Sequence, residues 1–146
     1  MREGVQTQLI AMGESACFFL SICKIIEEVN CRNVNITDTF DACVEHKLIS
    51  FNYQSPYDNE NCYVLDAVRI LSLLTGKTWN FRKIQNPEEI QNWKAGDNEY
   101  TIQRWVRKVT GKEITHFRRP TWDPLLKSQT VRYGCIDALY IFTLLE

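Results

Sequence analysis

A cysteine at the start of a predicted helix is the first residue whose position in this sequence could support chemistry. Cys17 lies in GESACFFLSI (residues 13–22), where a small polar run meets an apolar pattern of helical spacing. A thiol in the first helical turn faces unpaired backbone N–H groups and the positive end of the helix dipole, and both lower its pKa. This position fits a nucleophile. A buried structural cysteine and, from the ending ESAC, a lipidated cysteine are the alternatives.

A histidine base has two candidates in the chain, His46 and His116. His46 lies in a predicted helix between charged residues, which is typical of a surface or half-buried side chain. If Phe117 pairs with Trp122 across a four-residue connection, His116 lies directly opposite Asp123. Cross-strand Cβ atoms are ~5 Å apart, so the carboxylate could accept a hydrogen bond from the imidazole and stabilise the imidazolium. A surface His–Asp pair of little consequence is the alternative.

Helical patterns in the first half of the chain supply the element that must position the cysteine. Apolar residues recur there at three- and four-residue steps in three segments. The first helix is predicted to open at Ser15 and the second at Thr37 or Asp38. The third is predicted to open at Asn61 and to end near Gly76.

The second half changes to aromatic and β-forming residues, which predict the strands that must position the histidine. The segments KTWNFRKI, YTIQRWVRK, EITHFRR, TVRYG and DALYIFTLL have strand character, and NPEEIQNWK is typical of a short helix. DALYIFTLL could equally be a buried helix. Helices followed by antiparallel strands indicate an α+β fold. The 146 residues carry no repeat or linker and predict a single domain, 1–146.

Composition narrows the class of protein. The chain is 45% hydrophobic and 24% charged, which is typical of a globular protein, and its net charge of -1 argues against a globally basic nucleic-acid binder. No secretion signal and no run of ~20 apolar residues is evident, so we expect a cytoplasmic protein with reduced cysteines and no membrane contact. None of the six cysteines has C-x-x-C spacing, and the Gly-Lys pairs lack the earlier glycine of a phosphate-binding loop. Neither a metal nor a cofactor is therefore expected.

A basic segment, residues 104–119, offers a second kind of site. Arg104, Arg107, Arg118 and Arg119 alternate there with aromatic residues, which could form a patch for nucleic acid or an acidic partner. The alternative is that these charges lie on solvated strand edges and oppose aggregation.

Several short motifs follow one another in a characteristic order along the chain: Gln8, Cys17, THF at 115–117, WDP at 122–124, SQTVRYG at 128–134 and the closing DALYIF. In this order they resemble the papain-like cysteine peptidases, especially the compact bacterial and phage versions related to bacteriocin-leader peptidases. The segment 48–76 also resembles the middle of an uncharacterised papain-like family carried by phages and spirochaete plasmids.

The resemblance implies a papain-like fold, with N-terminal helices packed on a C-terminal antiparallel sheet, and a Cys-His-Asp triad. In such a triad Cys17 attacks a carbonyl, His116 transfers the proton and Asp123 orients His116. Gln8, or alternatively Gln6, would stabilise the oxyanion together with the Cys17 backbone N–H.

The resulting hypothesis is a cysteine hydrolase of phage or mobile-element origin: a peptidase, isopeptidase or amidase acting on a peptide or a cell-wall amide. Its location would be the cytoplasm, that of the host cell if a phage encodes it. The alternative is a catalytically inactive papain-like binding protein, such as a phage-encoded inhibitor of a host protein or nucleic-acid complex.

Overall fold

The computed structural model describes residues 14–51, 62–125 and 128–145. The chain divides into two compact units, Met1–Gly76 and Lys77–Glu146. Helices dominate the first unit and an antiparallel sheet the second, so the expected α+β class is confirmed. The single domain spanning 1–146 stays a prediction.

The described part of the first unit is built on one long helix, whose apolar side chains form its core. Phe19, Ile22 and Ile26 are buried along this helix, and the ring of Phe19 meets that of Phe40 edge-on at 5.7 Å between centroids. The two strands of this unit pair antiparallel. Its elements are α1 (Glu14–Asn30), α2 (Ile36–Glu45), β1 (Ile49–Phe51), β2 (Cys62–Val64) and α3 (Ala67–Thr75).

The first two helices begin at residues other than those predicted. Ser15 lies within α1, whose described residues begin at Glu14, so its predicted role as N-cap is wrong. Asn35 caps α2 instead of Thr37 or Asp38, because its side-chain oxygen accepts the Asp38 N–H at 3.0 Å. Such a contact requires extended backbone at the capping residue, and Asn35 has it.

The third helix is shorter than predicted because its first residues form a strand. The segment Cys62–Val64 pairs with Ile49–Phe51, and the helix begins only after Asp66, which accepts the Arg69 N–H at 3.1 Å. Asn61, the predicted cap, lies outside the described residues. The predicted helix end is confirmed, since Gly76 has the left-handed φ of 69° that favours glycine.

The second unit is a four-stranded antiparallel sheet in the order β3-β6-β4-β5. Buried Ile84, Leu139 and Ile141 form a core cluster against which Ile90 and Trp93 pack. The elements are β3 (Trp79–Ile84), α4 (Pro87–Asn92), β4 (Glu99–Val109), β5 (Lys112–Arg118), α5 (Gln129–Tyr133) and β6 (Cys135–Leu144).

Two segments near the C-terminus were predicted as strands, the second with a buried helix as its alternative. The predicted strand at TVRYG is wrong: this segment is the short helix α5, whose N-cap Ser128 accepts the Val131 N–H at 3.4 Å. DALYIFTLL is a strand and not a buried helix, because β6 pairs with β3 on one side and β4 on the other.

Candidate functional site: a buried histidine–aspartate pair

His116, which is buried, and Asp123, which is half-buried, form a hydrogen-bonded pair in the second unit. The His116 Nε2 atom lies 2.7 Å from the Asp123 Oδ1 atom, and their side chains are 4% and 10% exposed. The contact expected from the sequence is therefore present. Polar groups buried this far from water are costly unless hydrogen-bonded, so each side chain depends on the other.

The strand register that produces this contact differs from the predicted one. Arg119, and not Phe117, bridges to Trp122, and these two residues exchange backbone hydrogen bonds of 2.9 and 3.2 Å. The connection is thus a two-residue turn. Side chains alternate between sheet faces with a period of two, so this two-residue shift leaves His116 and Asp123 on the same side. Their contact becomes a diagonal one instead of a directly opposed one.

A turn in the following segment fixes the aspartate. The Leu125 backbone N–H donates to the same Asp123 Oδ1 at 2.8 Å, across the intervening Pro124. An aspartate side chain bonded to the N–H two residues on forms an Asx turn, which holds its carboxylate in place. Sequence analysis did not identify this contact, although Asp-Pro is a turn signal that could have indicated it.

The hydrogen bond also defines the chemistry of the imidazole. An ionised carboxylate can only accept, so Nε2 of His116 carries a proton. When the ring is neutral, Nδ1 then has no proton and can accept one, as a general base must. On the neighbouring strand Trp105 lies directly opposite His116, and its indole N–H donates to Gln103 Oε1 at 2.9 Å.

Cys17 lies in the first unit, where it is the fourth residue of α1 and therefore in its first described turn. It is half-buried and present as a thiol, and its carbonyl accepts the Ser21 hydroxyl at 2.8 Å. Gln6 and Gln8, the candidate oxyanion donors, lie outside the described residues. The joint action of Cys17 with the His116–Asp123 pair stays a prediction.

Two other cysteines in this unit are shielded from reaction. Burial raises the pKa of Cys23 well above its ordinary value, and the nearby Cys43 and Glu27 raise it further. Burial also raises the pKa of Cys43, to about 11. Both thiols therefore remain protonated near neutral pH. Cys31 and Cys135, by contrast, are exposed.

The arginines of the basic segment make contacts inside the protein. Arg104 pairs with Asp137 and, at 3.5 Å, with Glu113. Arg118 donates to the carbonyls of Arg119 and Pro120 at 3.0 and 2.8 Å.

Arg119 donates to the Thr101 carbonyl, and its guanidinium lies 5.8 Å from the Tyr100 ring centroid. Arg107 is half-buried opposite Ile114. Three of the four guanidinium groups thus contact other groups of the sheet and of the turn after β5, and the role of the four arginines in binding a polyanion stays a prediction.

Two statements hold for residues 14–51, 62–125 and 128–145. No group of three or more His, Cys, Asp or Glu residues there is arranged to hold a metal ion. No helix among the described residues has the length and apolar character to cross a membrane.

Comparison of the chain with protein-family models, with curated proteins and with solved structures gave no match. Its function has to be inferred from the residues themselves, and among the described residues the His116–Asp123 pair has the clearest chemical character.

Proposed function

We propose that this chain is a cysteine hydrolase with a papain-like fold, in which Cys17, His116 and Asp123 act together. The observation that supports the proposal is the hydrogen bond of 2.7 Å between the buried His116 and Asp123. A buried ion pair is weak evidence of a stabilising role, because desolvation offsets much of its attraction. A histidine with one nitrogen fixed by a carboxylate is also the arrangement that a thiol nucleophile requires.

The proposed reaction has two stages. The Cys17 thiolate attacks the carbonyl carbon of an amide, so that a C–S bond forms and an electron pair moves to the oxygen. The His116 imidazolium then donates its Nδ1 proton to the leaving amine as the C–N bond breaks. Water attacks the resulting thioester, Nδ1 accepts a proton from that water, and the carboxylic acid leaves as the thiolate is restored.

Asp123 takes no proton in this scheme. Its carboxylate keeps Nε2 protonated and stabilises the positive charge that the ring carries while Cys17 is a thiolate. Gln8, or Gln6, and the Cys17 backbone N–H would donate to the oxyanion. The same steps cleave a peptide, an isopeptide or a cell-wall amide, since each contains an acylated amine. We place the reaction in the cytoplasm, that of the host cell for a phage-encoded protein.

Thiol alkylation tests the proposal without a known substrate. Treated with limiting iodoacetamide between pH 5 and 9, Cys17 should be modified first, with an apparent pKa well below ~8.5. The exposed thiols of Cys31 and Cys135 provide the reference rates for solvent-accessible cysteines. Cys23 and Cys43 should remain unmodified, because their raised pKa values leave almost no thiolate. Peptide mapping by mass spectrometry gives the rate at each position.

The matched variant is His116→Ala, which should bring the rate at Cys17 down to that of Cys135. A wild-type Cys17 that reacts no faster than Cys135 would argue for the alternative, a papain-like binding protein without catalysis. In that protein the His116–Asp123 pair is only structural.

Asp123→Asn should leave partial activity. The amide oxygen of the asparagine can still accept a hydrogen bond from the Nε2–H group, but it supplies no negative charge to stabilise the imidazolium. Hydrogen bonds to charged groups contribute about 1.5–3 kcal/mol, so we expect hydrolysis to slow roughly 10- to 100-fold. Asp97→Asn, at an exposed carboxylate of the same unit, should have no effect. An equal loss in both variants would assign the effect to net charge instead of to the pair.

A further inference from the structure

Aromatic side chains and one lysine lie together on one face of the sheet. In the register of β3 and β6, Phe81 is directly opposite Phe142 and Lys83 is opposite Tyr140, so all four share a face. The rings of Phe81 and Tyr140 are stacked, with centroids 6.0 Å apart and planes 29° apart. Phe142 beneath them is 1% exposed, whereas Phe81 is 41% exposed. We call Phe81, Lys83 and Tyr140 the aromatic strip.

The charge of this surface is positive. The Lys83 ammonium lies 5.1 Å from the Tyr140 ring centroid, which places a cation at the end of the strip. Arg82 points to the opposite face, where it pairs with Glu99 at 3.5 Å and lies over Trp93. Up to the bulge between Arg104 and Trp105, the residues paired on the face of the strip include no acid: they are Trp79, Phe81, Lys83, Tyr100, Ile102, Arg104, Ala138, Tyr140, Phe142 and Leu144.

We propose that the aromatic strip binds single-stranded nucleic acid, with a base stacked on Phe81 and a phosphate beside Lys83. The exposed ring of Phe81, beside the half-buried ring of Tyr140 on the neighbouring strand, offers a surface that suits a planar base. Base–aromatic stacking tolerates any sequence. The adjacent cation matches the phosphate that accompanies each base. A purely aliphatic ligand would supply no negative charge to pair with the Lys83 ammonium. This site does not depend on the proposed hydrolase activity.

Fluorescence anisotropy of the full chain with labelled oligodeoxythymidine at low salt tests the strip. The oligonucleotide should bind, and inorganic polyphosphate should compete poorly because it carries charge without bases. Phe81→Ala should weaken binding roughly 10- to 100-fold. The control is Tyr133→Ala, which removes a 62% exposed ring that also lies beside an arginine, Arg132, at 5.2 Å. This control should bind as the wild type does.

Phe81→Leu keeps apolar volume and removes the ring, so it separates stacking from folding; it should bind as weakly as Phe81→Ala. Lys83→Gln should reduce the slope of log affinity against log salt by about 0.7, the value for one phosphate contact on a single strand. Lys108→Gln, at an exposed lysine of β4, should leave the slope unchanged. Absence of binding at low salt, equal competition by polyphosphate, or full binding by Phe81→Leu would overturn the proposal.

Discussion

Cys17→Ala should abolish the amide hydrolysis that we propose for this protein. Without the thiol no C–S bond can form, and loss of a nucleophile from a catalytic triad lowers turnover by about a million-fold. The substitution should leave the fold intact, because Cys17 is half-buried in a helix and alanine is the best helix former. The measurement is amine release from peptide, isopeptide and cell-wall substrates, with the free energy of unfolding determined in parallel.

The matched controls are the exposed cysteines. Cys31→Ala and Cys135→Ala each remove a solvent-accessible thiol and should retain wild-type turnover. Hydrolysis that persists in Cys17→Ala would mean that another group is the nucleophile and would contradict the triad. His116→Ala should approach the Cys17→Ala result, because the leaving amine then lacks its proton donor.

The contact at the centre of this proposal could be predicted from the sequence, even though its register could not. A spacing of seven residues across a turn places His116 and Asp123 near one another for either of two registers that differ by two residues. Both registers put the side chains on the same face. Strand periodicity alone does not distinguish them, because that choice depends on the turn formed by Pro120 and Thr121.

Helix boundaries were harder to predict, because several residues near each start can act as caps. Asn35 precedes Thr37 and Asp38, and all three side chains could accept a backbone N–H. The residues Cys62–Val64 extend an apolar pattern that suits a helix, but pairing with β1 makes them a strand. In the second case a tertiary contact determines the outcome, and local propensity does not contain it.

The arginines illustrate a different limit. Their number and spacing suggest a basic surface, yet the groups that engage them are distant in sequence. Arg104 pairs with Asp137, thirty-three residues away, and Arg119 donates to the carbonyl of Thr101, eighteen residues away. The sequence therefore shows which residues are charged, and only the fold shows which of those charges are already paired within the protein.

Gly134→Ala should destabilise the second unit severely. Gly134 joins α5 to β6, and a Cβ atom there would lie 2.3 Å from the Val106 carbonyl oxygen and 2.4 Å from that of Thr130. The backbone angles, φ -107° and ψ -164°, suit any residue, so the cost is steric. Both obstructing atoms belong to backbone and cannot rotate away. Overpacking usually costs 1–3 kcal/mol, and we expect a loss of about 3 kcal/mol or more by urea denaturation.

Gly96→Ala is the control for this prediction. The nearest atoms to its Cβ would all belong to the Glu99 side chain, with Oε1 at 3.1 Å, and that carboxylate can shift because it ends a flexible side chain. A change of less than about 0.5 kcal/mol is expected there, as for most surface substitutions. Equal stability of Gly134→Ala and Gly96→Ala would contradict the close approach of Gly134 to β4.

The crowding at Gly134 also bears on the His116–Asp123 pair. Val106, whose carbonyl lies closest, follows Trp105 in β4, and Trp105 is the residue paired with His116. If the β4 backbone moves to make room for the alanine methyl group, Trp105 moves with it. Because Trp105 is paired with His116, the strand β5 that contains His116 would then shift as well. Gly134→Ala that still folds at low temperature should therefore lose part of the selective alkylation at Cys17, whereas Gly96→Ala should keep it. Wild-type selectivity in a folded Gly134→Ala variant would show that β4 absorbs the displacement without moving His116.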